Sequence, residues 1–226
     1  MNITKIVEIM FSIQKTAWFN LRYLPFRQAV RLPIWLHYST IVKKCYRGGV
    51  ILCDESKVRP MMIRIGFHTV PTMNPGDKTV VDVSWGGHLR FLGTAHIGKG
   101  SKIIVGKGAN LTLGDNFAIS ASSQINCCHK ITFGKDIQFS WDCLVMDSDT
   151  HTIYDEEGKC INPNREIVFG NKIWIGCRCT IMKGTEIPDN CVIGACSFVS
   201  GKKFQPNTII VGHPANSVKT IGGWHL

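Results

Sequence analysis

From Phe169 to Val199 a bulky apolar residue stands at every sixth position: Phe169, Ile175, Ile181, Ile187, Ile193 and Val199. Four residues after the first five come Ile173, Cys179, Thr185, Cys191 and Ser197, mostly small, and Gly170, Gly176 and Gly194 directly follow three of the bulky ones. An amphipathic helix repeats at about 3.6 residues and a half-buried strand at about 2, so neither explains the period. One short strand plus one turn in a stacked coil does. The bulky side chain then points inward at each corner, the small residue shares that interior, and Gly relieves the bend.

The same series continues upstream through Ile97, Val105, Leu113, Ile119, Ile125, Phe133, Phe139 and Val145, in steps of 8, 8, 6, 6, 8, 6 and 6 residues. A step of eight keeps the inward side chains in phase and lengthens one face, as with Leu111 before Leu113 and Ile131 before Phe133. Short apolar runs at 50–53, 61–65 and 80–83 read as less periodic first coils. The pattern predicts a helix over residues 3–18 and a basic, Pro-punctuated stretch to Pro33, with a boundary at Gly48-Gly49. The expected division is an N-terminal segment 1–47, a solenoid 48–205 and a tail 206–226. Residues 148–167 have no six-residue register; twenty residues that cannot stack must project outward as an excursion.

The stretches IGCRCT, IPDNCV and IGACSF follow one rule: an aliphatic residue, a small or acidic one, two free positions, a small residue and a further free one. This resembles the hexapeptide repeat of acyltransferases, over roughly Gly49 to Lys219, and within that family the capsule and lipopolysaccharide O-acetyltransferases. The resemblance implies a mainly β fold, a left-handed parallel β-helix with a short helical N-terminal segment and a projecting catalytic loop. It also implies a homotrimer. The left hand comes from the resemblance, because crossover connections ordinarily favour the right.

Composition narrows the setting. Of ten cysteines, Cys143, Cys179 and Cys191 fall on small inward positions, where a thiol is a small core residue. Adjacent Cys127 and Cys128 lack the spacing of a zinc site. A reducing cytoplasm fits. Residues 1–64 hold eleven Lys and Arg against three acids, Glu8, Asp54 and Glu55, so most of the formal charge of +10 lies there. Aromatic residues Trp18, Phe19, Tyr23 and Phe26 interleave with it. Two readings stay open: a cap over the unpaired strand edges of the solenoid's end, or a basic amphipathic surface for anionic lipid at the inner membrane. No nucleic-acid motif accompanies the charge, and no run of apolar residues or cleavage pattern suggests a spanning helix or signal peptide.

In the family, a His at the base of the extended loop deprotonates an acceptor hydroxyl as it attacks acetyl-CoA. The matching residue is His151, with Asp149 or Asp147 beside it to orient the ring; which of the two does so is open, since either could instead meet acceptor hydroxyls. An imidazole suits the task because its ordinary pKa of about 6.5 leaves it available as a base near neutrality. The resemblance places the coenzyme along Trp174 and Gly176, at Gly194 and Ala195, with Lys202, Lys203 and Lys219 for its phosphates. It places a carbohydrate acceptor near Asn126, Asp147 and Trp141. Val211-Gly212-His213-Pro214-Ala215 resembles the family's terminal turn, with His213 in the place of Asn. Two thiols stand where members acting on small free sugars often carry carboxylates, so a simple free sugar is not implied.

The expected function is acetyl-CoA-dependent O-acetylation of a sugar hydroxyl of a surface polysaccharide or its precursor, by direct transfer and without metal. The alternatives are an amino-sugar N-acetyltransferase and a non-catalytic solenoid. A solenoid carbonic anhydrase would need two His five apart, and residues 93–200 contain no such pair.

Overall fold

Coil strands of two to five residues are too short to pair with their chain neighbours across a hairpin, so each instead pairs in parallel with the strand one full turn later. The computed structural model describes residues 3–225; Met1 and Asn2 of the N-terminal segment and Leu226 of the tail lie outside the described residues. Three sheets result, of nine, seven and six strands, here called A, B and C. The chain visits them in turn, as a left-handed parallel β-helix.

Register turns the sequence period into columns. In sheet A, Ile65, Ile97, Ile119, Phe139, Ile175, Ile193 and Ile210 lie level on successive strands. In sheet B the column is Val81, Ile103, Ile125, Val145, Ile181 and Val199. All of these are buried, each contributing about 1.5–3 kcal/mol by leaving water. Sheet C adds Phe133 and Phe169, whose rings stack 4.5 Å apart. The small fifth positions Cys179, Thr185, Cys191 and Ser197 are buried too. At the corner after sheet C, a Cβ on Gly114 would collide with the Gly134 carbonyl, and one on Gly134 with that of Gly170.

The N-terminal segment differs from the expected division. Helix α1 (Ile3–Tyr23) runs beyond residue 18, and α2 (Phe26–Ala29) follows. Strands β1 (Ile34–Leu36) and β2 (Ile41–Val42) already form the first coil: β1 pairs with β4 (Ile63–Ile65) and β2 with the strand Val80–Val83, while β3 (Val50–Leu52) opens sheet C. The solenoid therefore begins before Gly48. Short apolar runs interrupted by Pro and basic residues hid these strands.

The free edge of β1 is closed by side chains rather than by another strand. Asn20 Nδ2 donates to the Ile34 carbonyl (2.7 Å) and its Oδ1 accepts from the Ile34 N–H (3.2 Å). Thr16 Oγ1 accepts from the Leu36 N–H (2.9 Å), and Ser12 Oγ from the Tyr38 N–H (3.0 Å). Four helical residues rise about 6 Å and two strand residues about 6.6 Å, so a polar residue every fourth position matches the N–H groups of every second strand residue. All three polar side chains are buried, and the capping reading of this segment has its physical basis here.

At the other end the expected tail is a final coil strand, Thr208–Gly212, that pairs in parallel with Val192–Ile193 and is covered antiparallel by Ala215–Thr220. The reversal occurs at His213-Pro214, a cis bond.

Candidate active site

The excursion leaves at the corner between sheets B and C, after the strand Leu144–Met146, and rejoins at Ile167–Phe169. It is a small hairpin. Tyr154 bridges Cys160, the Ile161 N–H donates to the Ile153 carbonyl (2.9 Å), and Asp155 Oδ1 accepts from the Glu157 and Lys159 N–H groups (3.1 and 2.8 Å) around Gly158.

One buried cation fixes its base. Lys183 Nζ lies 2.6 Å from Asp149 Oδ2 and donates to the Asn162 carbonyl at 2.7 Å. Asn162 Nδ2 donates to Asp149 Oδ2 (2.9 Å) and to the His151 carbonyl (2.8 Å), while its Oδ1 accepts from the Ile153 N–H (2.6 Å). Hydrogen bonds from Lys183 and then Asn162 hold the Asp149 carboxyl below the usual carboxylate range. Asp149 is thus ionised at neutral pH, and the stability that this pairing supplies is lost only as acid titrates the group through its depressed pKa. His151, between these fixed points, is exposed; the Asp149 oxygen that makes these bonds serves Lys183 and Asn162.

Asp147 has a different setting from the one its sequence context suggested. It is wholly buried, and its oxygens accept from the Cys128 N–H (2.7 Å) and the His129 N–H (2.9 Å) of the preceding coil. Its place is under the Cys127-Cys128-His129 turn, away from any acceptor that approaches from solvent. Burial, and then the Asp147 carboxylate, push the thiols of Cys127 and Cys128 up. Asn126 stands half-buried beside Met146 on the outer side of sheet B and accepts from Gln124 Nε2 at 2.9 Å. Trp141 does not join it. That residue ends a sheet A strand, and its carbonyl accepts from the Arg178 N–H (2.9 Å), at the corner that also carries Gly176.

Most of the residues expected to meet the coenzyme lie on sheet A and the turns that follow it, whereas Lys202 and Lys203 follow the last sheet B strand, Phe198–Val199. Trp174 is exposed on the outer side, its Nε1 3.4 Å from Ser140 Oγ and its ring 6.4 Å from that of Trp224. A Cβ on Gly176 would lie 2.6 Å from the Ala195 nitrogen, and one on Gly194 would strike Val211, so both glycines are already required by coil stacking. Lys202 Nζ holds the C-terminal hairpin, donating to the Ala215 carbonyl (3.0 Å) and Asn216 Oδ1 (2.8 Å). Lys203 pairs with Glu186 at 2.6 Å, and Lys219 is exposed on the last strand.

The structure therefore places Asn126 on sheet B beside the strand from which the excursion with Asp149 and His151 departs, and Trp141, Trp174, Gly176, Gly194 and Ala195 on sheet A and the turns that follow it. Sequence reasoning missed Lys183 and Asn162. Neither left a signal: the positions equivalent to Lys183 in neighbouring repeat units, Asn171, Cys177, Asp189 and Ala195, are half-buried or exposed, and Asn162 lies in the excursion. No group of three His, Cys, Asp or Glu suited to a metal occurs among the described residues.

No family model matches the chain. It is 29% identical over 119 residues to galactoside O-acetyltransferase of Escherichia coli K12, half of this chain and 56% of that protein. It is 32% identical over 122 residues to polysialic acid O-acetyltransferase of Escherichia coli O1:K1, 54% of this chain and 37% of that protein. The chain thus spans about half the length of the first curated relative and less of the second. In fold it is similar to the crystal structure of the polySia-specific acetyltransferase NeuO, with a TM-score of 0.54 and 21% identity, covering 86% of this chain and 89% of that one. By its coils and by these likenesses, the chain is similar to the hexapeptide-repeat acyltransferases of the left-handed β-helix type.

Proposed function

We propose that this protein is an acetyl-CoA-dependent O-acetyltransferase that modifies a sugar hydroxyl of a surface polysaccharide or its precursor. The observation that carries the reading is the excursion, whose base the buried Lys183 ties down through the half-buried Asp149 and Asn162 while leaving His151 open to solvent. The similarity to galactoside and polysialic acid O-acetyltransferases supports the acceptor class.

In this reading the imidazole of His151 removes the acceptor hydroxyl proton as the oxygen attacks the thioester carbonyl carbon. The tetrahedral oxyanion is met by a backbone N–H of a neighbouring coil. Collapse breaks the C–S bond, and the proton passes from His151 to the departing thiolate. Asp149 acts on the loop carrying the base, through Asn162, which binds the His151 carbonyl. The pantetheine arm runs past Trp174 and the Gly176 and Gly194 turns, and Lys219 is the best placed of the three lysines for phosphate. Asn126 meets the acceptor.

We propose a homotrimer as well: His151 follows a sheet B strand and Trp174 lies on sheet A, on different sides of the solenoid, so a complete site would use the excursion of one subunit and sheet A of the next. We also place the protein at the cytoplasmic face of the inner membrane, held by its basic, apolar N-terminal segment. No helix among the described residues is long and apolar enough to cross a membrane.

The test is thiol release from acetyl-CoA with sugar, nucleotide-sugar and amino-sugar acceptors. His151→Ala is expected to lower turnover by about 10²–10⁴-fold, the range for losing a general base, with subunit mass and coenzyme affinity unchanged. Undiminished turnover would remove His151 from the mechanism, and preferred transfer to amines would replace the hydroxyl acceptor.

A further inference from the structure

The outer side of sheet A carries a row of level residues quite unlike the inner one: Trp35, Arg64, His96, Ala118, Gln138 and Trp174 on successive strands. Three hollows lie along its N-terminal half and share walls. The first, 290 Å³, runs from Glu8, Ile9 and Ser12 of α1 to Trp35, His37 and Phe67. The second, 390 Å³, reuses Trp35 and Phe67 and adds Met61, Arg64, His68 and His96. The third, 580 Å³, takes those last four and continues past Arg59, Ala118 and Ser120 to Gln138. Together they make one trough that ends one strand short of Trp174.

Its chemistry changes along its length. The α1 end is apolar and aromatic, with Trp35 and Phe67 rings 6.0 Å apart and the exposed Ile9 of α1 in its wall. The middle is cationic, with Arg59 and Arg64 and the rings of His68 and His96 5.6 Å apart. His96 Nε2 is buried without a hydrogen-bond partner among the described residues, a cost that a ligand would remove. Burial, then His68 and Arg64, hold His96 below its usual range, so at neutral pH its ring is uncharged. The far end is neutral and polar, with Asn116, Ser120 and Gln138. Glu8, at the apolar end, is the one carboxylate lining the trough among the described residues. Asp115, beside Arg59 in an adjoining hollow, is engaged by the Thr94 N–H and hydroxyl and the Asn116 N–H.

We propose that this trough binds a lipid-diphosphate-linked sugar: hydrocarbon along α1, Trp35 and Phe67, the diphosphate against Arg59, Arg64 and His96, and the sugar directed along Gln138 toward Trp174. The proposal rests on the acetyltransferase reading and names its acceptor as the carrier-bound form. Apolar, cationic and polar regions follow in the order of such a molecule's parts. The guanidinium groups suit diphosphate because they bind phosphate oxygens in pairs.

The experiment measures binding to the full chain in detergent of farnesyl diphosphate, farnesol, inorganic pyrophosphate and uridine diphosphate, alongside acetyl-CoA. Farnesyl diphosphate is expected to bind at least about tenfold more tightly than each of the other three. Arg64→Gln, on an exposed strand position, is expected to weaken it about tenfold, the effect of losing one charge-assisted contact of about 1.4 kcal/mol, with acetyl-CoA affinity unchanged. Uridine diphosphate binding as tightly as farnesyl diphosphate would overturn the lipid carrier in favour of a nucleotide. Absence of diphosphate binding in a protein that binds acetyl-CoA would overturn the trough altogether. Intact, Arg64-dependent farnesyl diphosphate binding without acetyl-CoA binding would support the trough and overturn the transferase reading.

Discussion

The coils and the N-terminal helix solve opposite problems with opposite patterns. Within the coils the buried side chains are mostly apolar, because the strands pair with those one turn away and the interior mainly needs filling. At β1 the strand stack ends. There the deficit is of hydrogen bonds, and α1 turns its polar stripe, Ser12, Thr16 and Asn20, inward to supply them. The apolar residues Val7, Met10, Phe11, Trp18 and Leu21 are left exposed on its other side. An amphipathic helix is therefore not oriented by its apolar face alone; the unsatisfied edge it covers can outweigh that face.

The largest effect should come from the coil interior. Phe133 is fully buried and packs on Phe117, Phe139 and Phe169, at ring separations of 5.1, 5.7 and 4.5 Å. Phe133→Ala is expected to destabilise by about 3–5 kcal/mol, the range for a buried aromatic truncated to Ala, read from the chemical-denaturation midpoint. A loss below about 1 kcal/mol would mean that adjacent coils collapse around the void and that the stack is less rigid than its columns imply.

The cap should rank second, and its chemistry can be separated from its size. Asn20→Leu adds apolar volume but strands both the Ile34 N–H and carbonyl, at about 1–3 kcal/mol for each buried unsatisfied group. Asn20→Ala should cost a similar amount. Hydrogen exchange would sharpen the comparison: protection of the Ile34 and Leu36 amides should fall in both variants while that of Ile175 and Ile181 is unchanged. Full stability of Asn20→Leu would show that α1 is held by apolar contact and that the polar stripe is incidental.

How much of this was legible in the chain depends on period. The regular coils and the excursion that interrupts them could be read because bulky residues six apart cannot be reconciled with helix or sheet. The first coil could not. Its strands β1 and β2 hold three and two residues, and the outer partners of β1 are found on α1, which no local pattern links to it. For the candidate site, resemblance proposed His151, Asp149 and Trp174, but it could not show that Asp147 is consumed by the Cys128 and His129 amides, that Lys202 is tied to the C-terminal hairpin, or that Lys183 anchors the excursion. Each of those facts is a contact between residues 13 to 34 positions apart. Such contacts follow from coil stacking and leave no trace in a single repeat unit.

The smallest stability effect, and the sharpest test of the inverted helix, lies on the outer side of α1. Met10→Ser with Phe11→Ser removes two side chains that are 58% and 53% exposed, so stability should change by no more than about 0.5 kcal/mol, as for surface positions away from caps and cavities. Flotation with vesicles should behave differently. The wild-type chain is expected to rise with vesicles rich in anionic lipid and to be released by salt, because Arg22 and Arg27 beside the apolar face add a screened attraction of about 1 kcal/mol per charge near the surface. The double variant should lose most of this binding at every salt concentration, whereas neutral vesicles should recruit the wild type only weakly. Unchanged flotation of the variant would assign lipid contact to the basic residues alone. A large loss of stability would mean instead that the outer side packs against another copy of the chain, and that the exposed apolar stripe is the buried half of an interface.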